Sequence, residues 1–533
     1  MKIVVADKIA DRALELLRAE NSWDVVYLPE KAAPSAGSVA KEIRDADALI
    51  VRSETQVNAE LLERADQLRV IGRAGVGVDN VDLDAATKKG VLVMNTPGGN
   101  AASVAEHTVA LLLALARRVP EADSSLKKGL WEKKSLLGIE LRSKTLGLIG
   151  LGSIGTEVAR LAQAFQMRVI AYDPYVSSRI AREHDVEVVS MEDLLKSSDF
   201  ISLHATATPE THHLLDARTL ALAKPGVRIV NCARGELINE DDLLKALESG
   251  QVAGAALDVF ETEPPRDLGL VAHPNVIATP HIAGSTEEAQ ETVGIRIAEQ
   301  VRDYLLLGLP RSAVNMPTVS PEEYKKLKPY LQLGEKLGTF LAQIAGGRLE
   351  EVRISYDGGL AELNTHLVKN AVLKGILSRV LSDQANLVNA GALAQARGIE
   401  VVELRSARRA SFSNSLGVAL RTEKDSASIL GMVGLWGSRH GELILGVNDI
   451  DIEAPLRGVI LFIRNRDVPG VIGRVGTILG NRNLNIANFA LGRDQQVQEA
   501  IGLVNVDNHV PADVLEEIRS IPAVRVARAV EID

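Results

Sequence analysis

The chain has 533 residues, which predicts three or four globular domains, and its formal net charge of −10, without any basic stripe, excludes nucleic acid as a partner. Its single cysteine, Cys232, excludes internal disulfides and cysteine-clustered metal sites and suits the reducing cytoplasm, where we expect the protein. No apolar stretch is long enough to cross a bilayer, and acids near the N-terminus exclude a signal peptide, so we expect neither a membrane protein nor a secreted one.

The first hundred residues alternate short apolar strands with helical segments, which predicts an α/β domain. We predict a helix at 11–19 and strands at 2–6, 25–28, 48–51, 68–71 and 91–94. Two loops with unusual polar or glycine content, 52–55 and 73–80, follow strand ends, where open sheets collect their ligands. Arg52, Ser53 and backbone N–H groups could bind a small anion there, although the loops alone fit ordinary surface turns equally well.

A helix that runs to residue 118 should connect this domain to the next one. Ser103 and Glu106 have the spacing of a capping box, so we place the start of the helix at Ser103. His107 lies on the same amphipathic helix and is interpreted as structural.

Residues 145–173 contain a strand, a glycine turn, a helix and a second strand. Gly150, Gly152 and Gly155 fit G-x-G-x-x-G, in which the glycines permit a tight turn, approach to a pyrophosphate and close helix packing. Asp173, at the end of the second strand, would accept hydrogen bonds from the adenosine ribose hydroxyls. A 2′-phosphate would face this carboxylate, so the pattern favours NAD over NADP.

The pattern of strands continues beyond the glycine turn. We predict strands at 200–204, 228–231, 253–259 and 276–278, then a long amphipathic helix over 287–307 that returns to the first domain. A discontinuous first domain leaves a cleft between two lobes, with hinges near 97–101 and 284–288. Closure of that cleft would exclude water from the reacting atoms.

Three motifs that end predicted strands bring Arg234, Glu263 and His281 to the side where a nicotinamide would lie. His281 can take the hydroxyl proton of a secondary alcohol near neutral pH, and Glu263 can hold its tautomer and stabilise the imidazolium. Arg234 offers a forked donor pair for a carboxylate and can polarise the forming ketone. Each alone fits an ordinary loop residue, but together they predict alcohol oxidation. Cys232, with no base nearby, is interpreted as a buried thiol.

The C-terminal third predicts two further domains. Residues 315–455 show helical patterns at 327–346, 363–380 and 384–398 and strands at 351–356, 400–404 and 418–422, which predicts an α+β domain. Arg439 and His440 could bind an anion there, but a solvated turn is the preferred interpretation. Residues 457–533 follow the order strand, helix, strand, strand, helix, strand, which predicts a ferredoxin-like fold.

These motifs, together with RAGVGVDNVDLDAATKKGVLVMNTPG at 73–98 and Trp131-Glu132, resemble the D-isomer-specific 2-hydroxyacid dehydrogenases along the whole chain. The resemblance implies two doubly wound, Rossmann- or flavodoxin-like α/β lobes, then an α+β intervening domain and a ferredoxin-like ACT domain. The implied boundaries are 1–98 and 288–314 for the substrate domain, 99–287 for the NAD domain, 315–455 for the intervening domain and 456–533 for the ACT domain. The implied reaction is NAD-dependent oxidation of 3-phospho-D-glycerate to 3-phosphohydroxypyruvate, the first step of serine biosynthesis, in a homodimer or homotetramer.

Carried over residue by residue, the resemblance implies Arg234 as substrate anchor, Glu263 as partner of the histidine and His281 as acid and base. The implied cofactor contacts are Gly150, Gly152, Ser153, Ile154, Gly155, Asp173, Ala205, Cys232, Ala233, Arg234, Asp258, His281, Ile282, Ala283, Gly284 and Val76. The implied substrate contacts are Arg52, Ser53, Gly75 and Asn100, with Lys133 from a neighbouring subunit. We assign no metal site.

In the ACT domain, Asn465, Asp467 and Asn485 occupy positions at which serine-binding relatives grip the amino acid across paired domains, so L-serine is the expected effector. A purely structural dimerisation module is the alternative. Two other functions stay open: a glyoxylate or hydroxypyruvate reductase, which usually ends near residue 320, and an NAD-sensing scaffold. The C-terminal third argues against the first, and the retained Arg, Glu and His argue against the second.

Overall fold

A computed structural model describes residues 1–31, 36–381, 385–406, 414–436, 439–494 and 496–532. Within these residues the chain forms two parallel sheets, a mixed sheet and an antiparallel sheet, in that order along the sequence. The predicted α/β fold class, with two doubly wound lobes and two C-terminal domains, is confirmed. No helix in the described part of the chain is both long and apolar enough to cross a membrane.

The first lobe is a parallel sheet with helices on both faces. Its strands are β1 (Lys2–Val5), β2 (Asp24–Tyr27), β3 (Ala48–Val51), β4 (Val70–Arg73) and β5 (Leu92–Met94). Its helices are α1 (Asp11–Arg18), α2 (Ala36–Glu42), α3 (Ala59–Glu63) and α4 (Leu83–Lys89), with a 3₁₀ turn at Leu28–Lys31. The strand order is β2-β1-β3-β4-β5. The central strands are buried on both faces, which explains their continuous apolar sequence.

The second lobe is a seven-stranded parallel sheet. Its helices are α5 (Ala101–Arg117), α6 (Val119–Lys127), α7 (Ser153–Ala164), α8 (Ser178–Glu183), α9 (Met191–Ser197), α10 (Ala217–Leu222) and α11 (Glu240–Glu248). Its strands are β6 (Thr145–Ile149), β7 (Arg168–Tyr172), β8 (Glu187–Val188), β9 (Phe200–Leu203), β10 (Val227–Asn231), β11 (Val252–Leu257) and β12 (Val276–Ala278), with a 3₁₀ turn at Gly235–Leu237. The strand order is β12-β11-β10-β9-β6-β7-β8. Successive strands are added on one side of β6 up to β8 and on its other side from β9 onward. In such sheets the ligand crevice opens between the two strands at this switch, β6 and β9.

The chain then returns to the first lobe through α12 (Glu287–Leu307). Ile297 and Val301 of this helix lie against Gly72 of β4, where a Cβ atom would clash with both side chains. Beyond the helix, Val314 N donates to Val93 O at 2.8 Å, and Val93 N donates to the Asn315 side chain at 2.9 Å. Residues 287–315 therefore complete the first lobe.

The predicted capping box at the start of α5 is wrong. The helix begins at Ala101, and Asn100 precedes it without a side-chain capping bond. Ser103 lies inside the first turn, and its Oγ is 2.7 Å from Thr286 Oγ1, directly before α12. Ser103 thus joins the two chain crossings between the lobes instead of capping the helix.

The third unit is a mixed sheet covered by helices. Its helices are α13 (Pro321–Ile344), α14 (His366–Leu381) and α15 (Ala390–Ala396), with a 3₁₀ turn at Gly359–Glu362. Its strands are β13 (Leu349–Gly358), β14 (Glu400–Ser406), β15 (Asn414–Thr422), β16 (Ser426–Trp436), β17 (Arg439–Val447) and β18 (Ile450–Pro455), in the order β14-β13-β15-β16-β17-β18. This unit docks on the first lobe, where the Asn386 side chain donates to Gly90 O at 2.8 Å.

Strands β16 to β18 were not predicted from the sequence. Arg439 and His440, which we placed in a solvated turn, pair with Trp436 and Leu435 in the β16–β17 ladder. Their side chains and residues 437–438 lie outside the described part of the chain.

The C-terminal unit is a four-stranded antiparallel sheet with both helices on one face. Its elements are β19 (Gly458–Arg466), α16 (Val471–Asn481), β20 (Ile486–Asp494), β21 (Glu499–Val506), α17 (Ala512–Arg519) and β22 (Val524–Ile532), in the strand order β20-β21-β19-β22. This is the predicted ferredoxin-like arrangement. The other face packs on α13, where the rings of Phe462 and Phe340 meet edge to face at 6.2 Å.

Candidate active site

The glycine turn between β6 and α7 leaves space for an anion. Gly150 has φ +98°, and a Cβ there would lie 2.8 Å from the His204 backbone; a Cβ at Gly155 would overlap the Gly150 carbonyl oxygen. By contrast, a Cβ at Gly152 would meet nothing within 4 Å. Because α7 begins at Ser153, the free N–H groups of its first turn face this open side. The turn therefore fits the pyrophosphate of a dinucleotide.

Asp173 lies at the end of β7, beside the glycine turn. Its Oδ2 accepts from Leu151 N at 2.9 Å, and its Oδ1 accepts from Tyr175 N at 2.9 Å and Val176 N at 3.2 Å. These bonds fix the carboxylate next to the turn, where the adenosine end of a dinucleotide would lie.

A cleft of about 920 Å³ separates the two lobes. The predicted site residues that line it are Arg52, Ser53, Gly75, Val76, Asn100, Gly152, Ser153, Ile154, Ala205, Cys232, Ala233, Arg234, Glu263, His281, Ala283 and Gly284. The predicted site residues that do not line it are Gly150, Gly155, Asp173, Asp258, Ile282 and Lys133. Gly150 and Gly155 form the inner side of the glycine turn, and Lys133 is exposed outside the cleft lining.

His281 and Glu263 form a hydrogen-bonded pair at the cleft. His281 Nδ1 lies 2.7 Å from Glu263 Oε2, and Glu263 Oε1 accepts from Phe260 N at 3.1 Å. The bond to Glu263 raises the pKa of His281 above its ordinary value. Because Nδ1 is engaged, Nε2 is the ring nitrogen through which this imidazole can exchange a proton with a ligand.

Asp258 was predicted as a cofactor contact, and in this structure its carboxylate lies beneath the loop that carries His281. It is fully buried, and its oxygens accept from Ile282 N at 2.9 Å, Ala283 N at 2.8 Å and the Thr279 hydroxyl. Asp258 therefore holds the loop that carries His281, and its contact with a cofactor stays a prediction. His107 Nε2, 3.5 Å from Asp258 Oδ1, supports the same loop.

Arg234 is held by its own loop and reaches across the cleft. The Asn231 side chain accepts from Ala233 N at 3.0 Å and donates to Arg234 O at 2.8 Å, which fixes the loop after β10. Arg234 Nη1 donates to Ala233 O at 2.7 Å, and Nη2 lies 3.0 Å from Asp79 Oδ2 of the first lobe. The guanidinium thus stands between the two lobes with further N–H groups free for a ligand.

The first lobe contributes a braced polar loop. Asp7 accepts from Arg52 N at 2.6 Å and Thr55 N at 3.2 Å, while the Asn80 side chain donates to Arg52 O and Thr55 O, each at 2.7 Å. These bonds keep Arg52 and Ser53 at the wall of the cleft.

Arg73, which we predicted in a loop and without a role, is the last residue of β4 and lines the cleft. Its guanidinium occupies the position that a Cβ at Gly75 would take, and its Nε is buried without a hydrogen-bond partner in the described part of the chain. Burial and the nearby Arg234 lower the pKa of Arg73 to about 10. A half-buried cation with an unpartnered Nε is a candidate for binding an anion.

Cys232 lines the cleft as a neutral thiol. Burial raises its pKa to about 12, so the thiolate that nucleophilic chemistry needs is scarce at neutral pH.

The three predicted effector residues do not converge within one chain. Asn465 pairs with Ala500 near one end of β21, whereas β20, which follows Asn485, begins opposite Val506 at the other end, roughly 20 Å away at the usual rise per residue. Asp467 accepts from Arg493 at 2.8 Å. The Asn485 side chain donates to Asp507 at 2.8 Å, and that of Asn465 donates to Arg466 O at 2.7 Å.

Three segments of the chain match family models. Residues 109–283 match the NAD binding domain of the D-isomer specific 2-hydroxyacid dehydrogenases. Residues 326–440 match the D-3-phosphoglycerate dehydrogenase intervening domain, and residues 459–523 match the ACT domain.

Full-length relatives and solved structures agree with these matches. The chain is 43% identical to D-3-phosphoglycerate dehydrogenase of Methanocaldococcus jannaschii, over 98% of each chain. It is 39% identical to the Bacillus subtilis protein of the same name, over 100% of this chain and 99% of that one. The crystal structure of D-lactate dehydrogenase from Aquifex aeolicus, complexed with NAD and lactic acid, is 32% identical with a TM-score of 0.51, covering 60% of this chain and 100% of that one. The TT0316 protein from Thermus thermophilus is 37% identical with a TM-score of 0.53, covering 59% of this chain and 100% of that one.

Proposed function

Because this chain belongs to the D-3-phosphoglycerate dehydrogenases, within the D-isomer-specific 2-hydroxyacid dehydrogenase family, we propose that it oxidises 3-phospho-D-glycerate to 3-phosphohydroxypyruvate with NAD, the first step of serine biosynthesis. The observation that carries the proposal is that His281, Glu263 and Arg234 line one cleft next to an open glycine turn.

Each of these three residues has a chemical role in the oxidation. NAD, when bound, supplies the acceptor for the hydride that leaves C2 of the substrate. Neutral His281 accepts the C2 hydroxyl proton at Nε2 while Glu263, 2.7 Å from Nδ1, stabilises the imidazolium that forms. Arg234 binds the C1 carboxylate through its forked donors and polarises the forming ketone.

Three arginines support a substrate with more negative charge than a simple hydroxyacid. Arg52, Arg73 and Arg234 all line the cleft. A monocarboxylate needs one of them, which leaves two for a phosphate. The half-buried Arg73, whose Nε is buried and unpartnered among the described residues, is the strongest of these supports, because a bound phosphate would compensate its charge.

The placement of Asp173 supports NAD over NADP. Its carboxylate is fixed beside the glycine turn, where it would repel a 2′-phosphate. Asp173→Ala should lower the ratio of kcat/KM with NAD to kcat/KM with NADP by about tenfold, since charged hydrogen bonds contribute about 1.5–3 kcal/mol. The measurement is kcat/KM with each cofactor, and an unchanged ratio would assign the preference to other residues.

An exposed apolar segment supports a homo-oligomer, a dimer or a tetramer. Trp131 and Leu137 are 81% and 86% exposed, with Leu126 and Leu130 also exposed nearby. Large exposed apolar side chains on one segment are typical of a subunit interface. Pairing through this segment would take Lys133 to the neighbouring cleft, as the family resemblance implies.

A cytoplasmic location is also proposed, because a single buried cysteine suits a reducing compartment.

The ACT domain supports regulation by an amino acid, for which we propose L-serine. Since Asn465 and Asn485 lie at opposite ends of the sheet, the proposed site is formed by two paired domains.

The proposed reaction is tested by NADH absorbance with 3-phospho-D-glycerate, D-glycerate and D-lactate offered in turn. The expected result is the highest kcat/KM for the phosphorylated acid, with His281→Ala as the inactive control. Turnover of the unphosphorylated acids alone would favour the glyoxylate or hydroxypyruvate reductase alternative. NAD binding without turnover of any acid would favour an NAD-sensing scaffold.

A further inference from the structure

His213 lies in the loop between β9 and α10 and has no part in the proposed reaction. Its backbone N donates to Glu236 O at 2.8 Å, Leu215 N donates to Leu237 O at 3.0 Å, and Asn239 N donates to Leu215 O at 2.9 Å. Residues 213–215 therefore run as an added parallel strand along the segment that follows Arg234. His213 adopts φ +53°, which is uncommon for a residue with a side chain.

The hydrogen bonds of the His213 ring assign its tautomer. His213 Nε2 lies 2.8 Å from Glu261 Oε1, and Nδ1 lies 3.4 Å from Asn239 Nδ2. Asn239 Oδ1 is already engaged, because it accepts from Asp242 N at 3.0 Å as the N-cap of α11. The Asn239 amide thus turns its donor toward Nδ1, and the ring proton lies on Nε2, directed at Glu261.

Glu261 belongs to the loop that carries Glu263. Its backbone N donates to Glu240 at 2.8 Å, and the preceding residue, Phe260, donates its N to Glu263 Oε1 at 3.1 Å. A Cβ at Gly235 would overlap the Phe260 backbone, so the Glu263 loop and the Arg234 loop touch backbone to backbone. Glu261 therefore lies in a segment that contacts the Arg234 loop and carries Glu263.

We propose that His213 is a positioning residue for the catalytic set, which holds the Arg234 loop through its backbone and the Glu263 loop through its contact with Glu261. The proposal deepens the proposed function, on which it rests for the roles of Arg234, Glu263 and His281. When the contact with Glu261 is lost, the 260–263 loop gains freedom and Glu263 no longer has a fixed distance to His281 Nδ1. His281 then loses the partner that stabilises its imidazolium.

The test compares His213→Ala with His213→Gln, whose amide can still donate to Glu261. His212→Ala is the matched control, because this neighbouring ring is exposed, stacks on His213 at 3.8 Å and makes no side-chain hydrogen bond in the described part of the chain. The main readout is the titration of the His281 imidazole by NMR in histidine-labelled free enzyme, with the signal assigned through His281→Ala. The charged groups that face His281 are Glu263, Asp258 and Arg234.

The expected result is a lower pKa for His281 in His213→Ala, an unchanged pKa in His212→Ala and recovery in His213→Gln. kcat for 3-phospho-D-glycerate should fall about tenfold in His213→Ala, as a fraction of what general acid–base catalysis contributes. A folded His213→Ala whose His281 titrates as in wild type would overturn the proposal.

If His213→Ala does not fold, Glu261→Ala decides the question from the other end of the contact, with the same shift expected and no shift overturning the proposal. Because the titration needs no substrate, it also decides the role of His213 if the wild-type enzyme oxidises none of the acids offered.

Discussion

The catalytic cleft and the ACT domain differ in how much of a site one chain supplies. In the cleft, Arg234, Glu263 and His281 come from three strand ends and meet at one edge of a parallel sheet. In the ACT domain, Asn465 and Asn485 lie at opposite ends of an antiparallel sheet. Parallel strands all end at the same edge, so residues far apart in sequence converge there, whereas antiparallel strands end alternately at both edges. The three predicted catalytic residues thus meet within one chain, whereas the proposed effector site would need two.

Removal of the proposed base, His281, should have the largest effect on kcat. His281→Ala should lower kcat by roughly 10²–10⁴-fold, the usual contribution of a positioned general base. NAD affinity should stay at the wild-type value, because the imidazole acts on the alcohol and does not contact the adenosine half. Single-turnover kinetics and a fluorescence titration with NADH measure the two quantities separately. Loss of cofactor binding in this variant would contradict the assignment of His281 as the base.

Replacement of the substrate anchor should have the next largest effect. Arg234→Lys keeps the charge but loses the forked donor pair, so kcat/KM should fall by about 10–150-fold, the equivalent of about 1.5–3 kcal/mol for charged hydrogen bonds. Arg160→Lys, on the exposed side of α7 beside Glu157, is the matched control and should be neutral. Equal losses in both variants would show that the effect is not specific to the cleft.

The Glu263 carboxylate should set the pH dependence of kcat/KM for alcohol oxidation. Alcohol oxidation needs neutral His281, so the rate should rise with pH through the pKa of His281, which the bond to Glu263 raises. Glu263→Gln removes the charge, so the pKa should fall and the acid limb of the kcat/KM profile should move to lower pH. The maximal rate should decrease about tenfold, because the imidazolium loses its stabilising partner. A profile that keeps the wild-type acid limb would mean that another group titrates there.

The burial of a strand explains whether it could be predicted from the sequence. The central strands of both lobes are buried on both faces, so they form apolar runs that are visible without a structure. Strands β16 and β17 were missed because glycines, among them Gly431, Gly434 and Gly446, interrupt their alternation.

Within the site, residues at strand ends could be predicted and contacts between lobes could not. The strand predicted at 68–71 is β4, Val70–Arg73, and this displacement turns Arg73 from a loop residue into a residue of the cleft wall. The contact of Asp79 with Arg234 depends on how two lobes meet, for which the local sequence carries no signal. Asp258 was assigned to the cofactor from the family resemblance, and its bonds to the backbone of Ile282 and Ala283, which hold the His281 loop, could not be predicted from the sequence.

Substitutions in the ACT domain should have the smallest effect on basal kcat. A complementation experiment with two such variants tests whether the effector site, unlike the predicted catalytic residues of the cleft, needs two chains. Asp467→Ala and Asn485→Ala lie far from the cleft, so each should keep basal kcat within about twofold, as expected for surface substitutions. Each single substitution should abolish inhibition by L-serine.

If one chain contributes Asp467 and its partner contributes Asn485, a mixed dimer of the two variants contains one intact site and one that lacks both residues. Co-expressed chains should therefore regain partial inhibition by serine, whereas separately purified variants should not. Recovery in the mixed dimer requires a site shared between chains, and its absence, with wild type inhibited under the same conditions, would place both residues in a site within one chain or leave the domain with a structural role.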